Sequence, residues 1–148
     1  MLTDPQSATA QGLAQYVRDV ARELGLNAAH GYYELDSPAG AYLDLQRRLA
    51  AFPTRDAALV WDEEHGWALG VDAHSGLTLV VLSHLGGEVI PPPAAVADFV
   101  TAMFGGRWPG QAGPPRLRRA GAQDSLEAEL AAYARTPADP ERIGLAPA

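Results

Sequence analysis

The sequence predicts an α+β domain: an N-terminal helix, an antiparallel β-meander of about five strands, a second helix packed on the same sheet face, then a linker and a short C-terminal helix. Three observations carry this. Leu13, Val17, Val20 and Leu24 recur at the spacing of one helical stripe. Residues 57–84 break into three strand-length apolar runs, separated by Glu64-His65-Gly66 and His74-Ser75-Gly76. Each separator is a three-residue turn with glycine third, the pattern of a type I turn closed by a left-handed residue. Val96, Phe99, Val100 and Met103 then form a second helical stripe. A sheet with both helices on one face buries both stripes.

In chain order, Asp4-Pro5 reads as a helix start and Gly25 as its stop. Residues 30–35 alternate as a strand. Residues 41–46 read as the returning strand of a hairpin turning at Ser37-Pro38-Ala39. The competing reading is a helix capped at Ser37, and Gly40 weighs against it. Strands follow at 57–63, 67–73 and 77–84. With three-residue turns, Leu59 and Trp61 share a face with Trp67, Leu69, Val71, Leu77, Leu79 and Val81, and a one-residue slip would scatter them. Pro91-Pro92-Pro93 leads into the second helix, and Gly105-Gly106 ends it. Asp124-Ser125-Leu126-Glu127 fits a capping box with aspartate as the cap. It opens a third helix with Leu126, Leu130 and Tyr133 on its stripe. The expected organisation is a domain over 1–104, a Gly/Pro/Arg-rich linker over 105–123, an appended helix over 124–136 and a tail over 137–148.

The 148 residues suit one domain with a core of its own. No apolar run approaches the roughly 20 residues that span a bilayer, and the N-terminus lacks the pattern of a secretory signal. There is no cysteine, which removes thiol chemistry and fits a reducing compartment. These features predict a cytoplasmic protein without membrane contact. The net charge of −7 disfavours nucleic acid as a partner of the whole body. All 11 basic residues are arginine, a bias that matches a GC-rich genome.

Chemistry-bearing motifs are sparse. His65 and His74 sit at opposite ends of one strand, roughly 30 Å apart, and cannot share an ion. His65 and His84 fall at one end of the sheet beside Asp62, Glu63 and Glu64. They are the weak candidates for a metal or small-molecule site. No nucleophile motif and no phosphate loop stand in the sequence. The reading therefore leans away from an enzyme and assigns no catalytic residue and no cofactor.

The register gathers Tyr32, Glu34, Tyr42, Asp44, Asp62, Asp72, Val80 and Leu82, with Val60, on the sheet face away from the helices. Tyrosine, aliphatic and acidic side chains together suit a protein partner of basic character or a homodimer through this face. Arg107, Trp108, Arg116, Arg118 and Arg119 lie in the linker. They are the only group placed to touch nucleic acid, and they can equally tether the last helix against the acidic body by long-range attraction.

Glu34-Leu35-Asp36-Ser37-Pro38, the run Trp61-Asp62-Glu63-Glu64-His65-Gly66-Trp67, and Leu85-Gly86-Gly87-Glu88 followed by Pro91-Pro92-Pro93 have a familiar cast. Over about residues 12–104 the chain resembles an uncharacterised actinobacterial family known only as a domain of unknown function. The resemblance implies a bacterial, cytoplasmic setting and brings no activity or catalytic residues. The helix–sheet–helix order is also similar to the secretion-chaperone-like fold, whose members often bind other proteins. The function expected is a non-enzymatic protein-interaction or regulatory module. The alternative is a small-molecule or metal-binding protein, or an enzyme, using the sheet end near His65 and His84.

Overall fold

The computed structural model describes residues 7–26, 31–34, 39–73, 79–119, 122 and 124–135, with residues 31–34 and 135 described by their backbone alone. Its elements are α1 (Ala8–Glu23), β1 (Gly31–Glu34), β2 (Gly40–Asp44), β3 (Ala57–Asp62), β4 (Gly66–Asp72), β5 (Leu79–His84), α2 (Pro93–Phe104) and α3 (Leu126–Arg135). The α+β class and the antiparallel sheet stand. Each strand pairs with its neighbour in sequence, in the order β1-β2-β3-β4-β5.

Helix α1 is described from Ala8, and Asp4-Pro5 lies outside the described residues. Its N-cap is Ser7, in extended backbone, and the Ser7 side chain accepts the Ala10 N–H at 3.0 Å. Serine suits this position because its hydroxyl oxygen satisfies a free donor of the first turn. Gly25, at φ 74°, ends the helix as expected. The stripe of Leu13, Val17 and Val20 is buried, and Tyr16 joins it with no exposed surface.

Residues 40–44 are a strand, as the hairpin reading has it, and Ser37-Pro38 lies outside the described residues. The β3–β4 turn keeps the predicted facing and shifts the pairing by two residues. Asp62 stands opposite Gly66, Trp61 opposite Trp67, and Leu59 opposite Leu69. Gly66 takes φ 72°, the left-handed position expected of that glycine. A shift of two preserves side-chain parity, so Leu59, Trp61, Trp67, Leu69 and Val71 all enter the core.

Strand β5 departs from expectation. A register shift opposite Leu69 and Gly70 inserts Leu82 as an extra residue. Before the bulge, Val80 pairs with Val71, while Leu79 and Val81 pair with Asp72 and Gly70. Val80 therefore lies in a core-side row. Leu79 and Val81 lie on the other side, the reverse of the sequence reading. Leu82 packs against the core instead of joining the outer face. The turn at His74-Ser75-Gly76 lies outside the described residues.

Helix α2 buries the predicted Val96, Phe99, Val100 and Met103. Two indoles tie the sheet to the approach to α2: Trp61 Nε1 donates to the Val89 carbonyl at 2.7 Å, and Trp67 Nε1 donates to the Tyr16 hydroxyl at 3.1 Å. Tyr16 donates onward to the Pro91 carbonyl at 2.5 Å. Burial holds the Tyr16 phenol far above its ordinary range, so it stays a protonated donor.

Helix α3 is part of the core and no appendage to it. Leu126 and Leu130 are fully or nearly buried, and Tyr133 meets the Tyr16 ring edge-on at a centroid distance of 4.9 Å. Its first turn is met by the expected aspartate: Asp124 Oδ1 accepts from the Leu126 N–H, and the Ser125 hydroxyl donates to Glu129 Oε2. The two helices touch backbone to backbone: a Cβ at Gly12 would lie 1.6 Å from the Leu130 carbonyl oxygen. Gly12→Ala ordinarily stabilises a helix interior by about 1 kcal/mol. Here we expect the sign to reverse, with loss of stability by about 2 kcal/mol or more from overpacking. Urea unfolding of both proteins measures it.

Candidate functional site

The sheet end that holds the predicted histidines is built by Asp62. Its Oδ1 accepts the backbone N–H groups of Glu64 and His65, each at 2.8 Å, and its carboxylate lies 3.0–3.1 Å from His65 Nδ1. This aspartate turn explains the local sequence without a ligand. Asp62, Glu64 and His65 still bring one ligand atom each within 4.8 Å of one another. His84 is not among them. It sits on β5 opposite Ala68, 8% exposed, and its Nδ1 is buried with no hydrogen-bond partner among the described residues. Burial first, and the neighbouring His65 second, hold the His84 imidazole below its ordinary range against an opposing pull from Asp62.

Glu63, placed beside these groups by sequence, points the other way. It is 2% exposed, takes the Ala39 N–H at 2.6 Å, and pairs with Arg118 Nη1 at 2.5 Å. Arg118 also forks onto Asp124, with Nε–Oδ2 at 2.8 Å and Nη2–Oδ1 at 3.1 Å, and donates to the Ala122 carbonyl. Burial pulls the guanidinium down, and the hydrogen-bonded carboxylates of Asp124 and Glu63 more than offset it, so its pKa is raised. Arg118 in turn holds Asp124 below the usual carboxylate range. The Leu117 N–H donates to the Glu64 carbonyl at 2.9 Å. Leu117, Arg118 and Asp124 are thus tied to the hairpin end, and Arg118 is a structural counter-charge. Arg116 and Arg119 line a polar pocket of about 430 Å³ with Arg118, Glu64 and His65.

On the outer sheet face, Tyr42, Val60, Ala68 and His84 follow one another across the strands, with position 32 in register beside Tyr42. Glu34 stands opposite Gly40 and is described by its backbone alone. Asp44 and Asp72 share this face with Asp62. The Asp44 carboxylate accepts from the Gln46 N–H at 2.9 Å, so both Asp44 and Asp62 are used in turns. The bulge removes Val80 and Leu82 from this set.

A second surface carries no sequence signal. Leu49, Ala50, Ala51, Met103, Phe104, Gly106 and Trp108 line an apolar groove of about 370 Å³. It lies between the β2–β3 loop and the end of α2. Trp108 stacks on Phe52 with the rings 20° from parallel and keeps 37% of its surface exposed. Its φ is +47°, and that of Gln46, which precedes Arg47 at the groove, is +55°. They are the only non-glycine residues with positive φ among those described. Each such conformation costs on the order of 1 kcal/mol or more and concentrates at functional places. Arg47 lies over the Phe104 ring at 3.9 Å, and Arg107 borders Gly105. Sequence pointed to Trp108 and Arg107 only as parts of a basic linker. The groove exists because the 45–56 loop folds onto the end of α2, a contact no periodicity encodes.

Fold and surfaces define an α+β domain in which an antiparallel sheet and three helices enclose one core, with an apolar groove on its side. The chain belongs to a family of unknown function, DUF6292, whose family model matches residues 16–102. No curated protein and no solved structure matches it. The match closes at the end of α2, so Arg118, Asp124 and Leu130 lie beyond it.

Removing Arg118 leaves Glu63 buried without its counter-charge. Arg118→Ala should cost about 3–5 kcal/mol, and Glu63→Gln in the same chain should recover part of that. Equilibrium denaturation of the single and double variants tests the pair. For His84 the sign follows from its lowered folded pKa. The unfolded chain takes up the proton first, so stability falls as pH drops from about 6.5 towards the folded value. The wild type should lose more stability than His84→Gln between about pH 7.5 and 5.5. Equal losses in denaturant midpoint would remove this assignment.

Proposed function

We propose that this chain is a non-enzymatic protein-interaction module of the bacterial cytoplasm, and that the groove of Leu49, Ala51, Phe104 and Trp108 is its docking surface. The observation that carries the reading is the exposed, backbone-strained Trp108 on an apolar lining that contains no titratable group. An exposed tryptophan packed against a stacked neighbour suits an interface anchor, because tryptophan offers large apolar area on few rotatable bonds. A pocket without acid, base or nucleophile suits binding and not turnover. The bacterial, cytoplasmic setting is supported by the absence of cysteine and the exclusive use of arginine.

This differs from the sequence expectation in place and not in kind. The outer sheet face was expected to meet the partner, yet two of its carboxylates are occupied in turns. Val80 and Val81, 45% and 38% exposed, lie instead on the edge strand β5.

The test is co-purification from the native host with three baits: wild type, Trp108→Ala and Ala51→Glu. Both positions are exposed, so folding should survive, and circular dichroism checks it. A partner held by the wild type should bind Trp108→Ala about 30-fold or more weaker, and Ala51→Glu should release it. A partner unaffected by both changes but lost on Val81→Lys would place the interface on the β5 edge and overturn the groove reading.

A further inference from the structure

We infer that the groove receives an acidic amphipathic segment of a partner protein, its apolar side chains against Phe104 and Trp108 and its carboxylates on Arg47 and Arg107. This rests on the interaction-module reading and adds the chemistry of the partner. The groove lining supplies apolar contact only. Its two bordering cations are a different matter. Both Arg47 and Arg107 are exposed, and neither has a carboxylate partner among the described residues. Arg48 and Arg118, by contrast, are each paired, with Asp56 and with Glu63 and Asp124. Arg47 places its Cζ 3.9 Å from the Phe104 ring centroid and is exposed, so N–H donors of its guanidinium are left to bond an incoming carboxylate.

One opposing field has to be weighed. Helix α2 ends at Gly105 with no basic residue in its last turn, and a helix C-terminus carries roughly half a negative charge. Two full guanidinium charges outweigh it. The net charge of −7 belongs to the whole surface, and most of it is screened beyond a Debye length of about 8 Å. A short peptide lying on the groove is governed by the near arginines. An anionic membrane, broad against the whole acidic body, would be repelled. The geometry matches helix-in-groove recognition, in which a few apolar anchors enter and flanking charges set specificity.

The experiment selects random peptides displayed on phage against the full-length chain. Recovered sequences are synthesised and measured by fluorescence anisotropy on the wild type and variants. The expected peptides carry two or three apolar residues at helical spacing with Asp or Glu beside them, and lose affinity on Ala51→Glu. Arg47→Glu with Arg107→Glu should weaken them about tenfold or more. Arg47→Gln with Arg107→Gln should fall between, and Lys in place of the peptide's carboxylates should restore binding to the reversed variant. Peptides that need Trp108 and Ala51 but are neutral or basic, or ignore the arginine reversals, would overturn the acidic partner and leave the docking groove standing. Recovery of no groove-dependent peptide would sink both.

Discussion

The fold depends on what is done with one buried carboxylate. Glu63 follows directly on strand β3 at the head of a tight turn, and the turn geometry sends its side chain inward, to 2% exposure. A charge in that position is unfavourable without a counter-charge and a full set of hydrogen bonds. The neighbouring backbone supplies one bond, from Ala39. The counter-charge comes from Arg118, 55 residues later. To deliver it, the chain beyond α2 returns across the hairpin end, and Asp124, gripping the same guanidinium, sets the start of α3. The family match covers Glu63 but neither Arg118 nor Asp124. In this chain the segment outside the match therefore completes the electrostatics of the segment inside it.

Once α3 is brought back, the core closes around an aromatic and hydrogen-bonded centre. Tyr16 receives the Trp67 indole N–H, donates to Pro91, and meets Tyr133 edge-on. One side chain thus touches α1's own stripe, the sheet, the approach to α2, and α3. Gly12 permits the last of these contacts, because only a residue without a Cβ lets the α1 and α3 backbones approach so closely. The groove is the outward consequence of the same closure. With the α1 side of the core filled by α3, the end of α2 is met instead by the 45–56 loop. Trp108, stacked on Phe52, forms part of its wall.

Much of this was legible from residue order. Helical stripes, strand runs and the left-handed Gly66 depend on neighbours within a few positions, and they read correctly. The aspartate at 62 and the histidine at 65 were placed at one end of the sheet, where they do meet. The structure departs from local residue order where a distant contact decides the outcome. The bulge in β5 reversed the facing of Val80 and Val81, since a single inserted residue changes parity for everything before it. Glu63 looked like one more acid in a polar turn, and Arg118 like one more cation in a linker. Their pairing has no local signature. Tyr16, one position before Val17 on the α1 stripe, carries no distinguishing sequence signal, because a period of 3.6 marks which face is buried and not which residue is its centre.

By itself the sequence determined the class, the order of helices and strands, the alternation that gives the sheet an inner face, and the lack of a familiar catalytic motif. These are properties of local backbone preference and apolar period, which act over one or two turns or a few strand residues. Only the tertiary structure decided which arginine is buried and which are left at the surface. It also decided that the last helix belongs to the core and that a tryptophan in a glycine- and proline-rich stretch becomes the wall of a groove. Those outcomes turn on desolvating a charge and matching shapes between segments far apart in the chain, and neither is written in the spacing of residues.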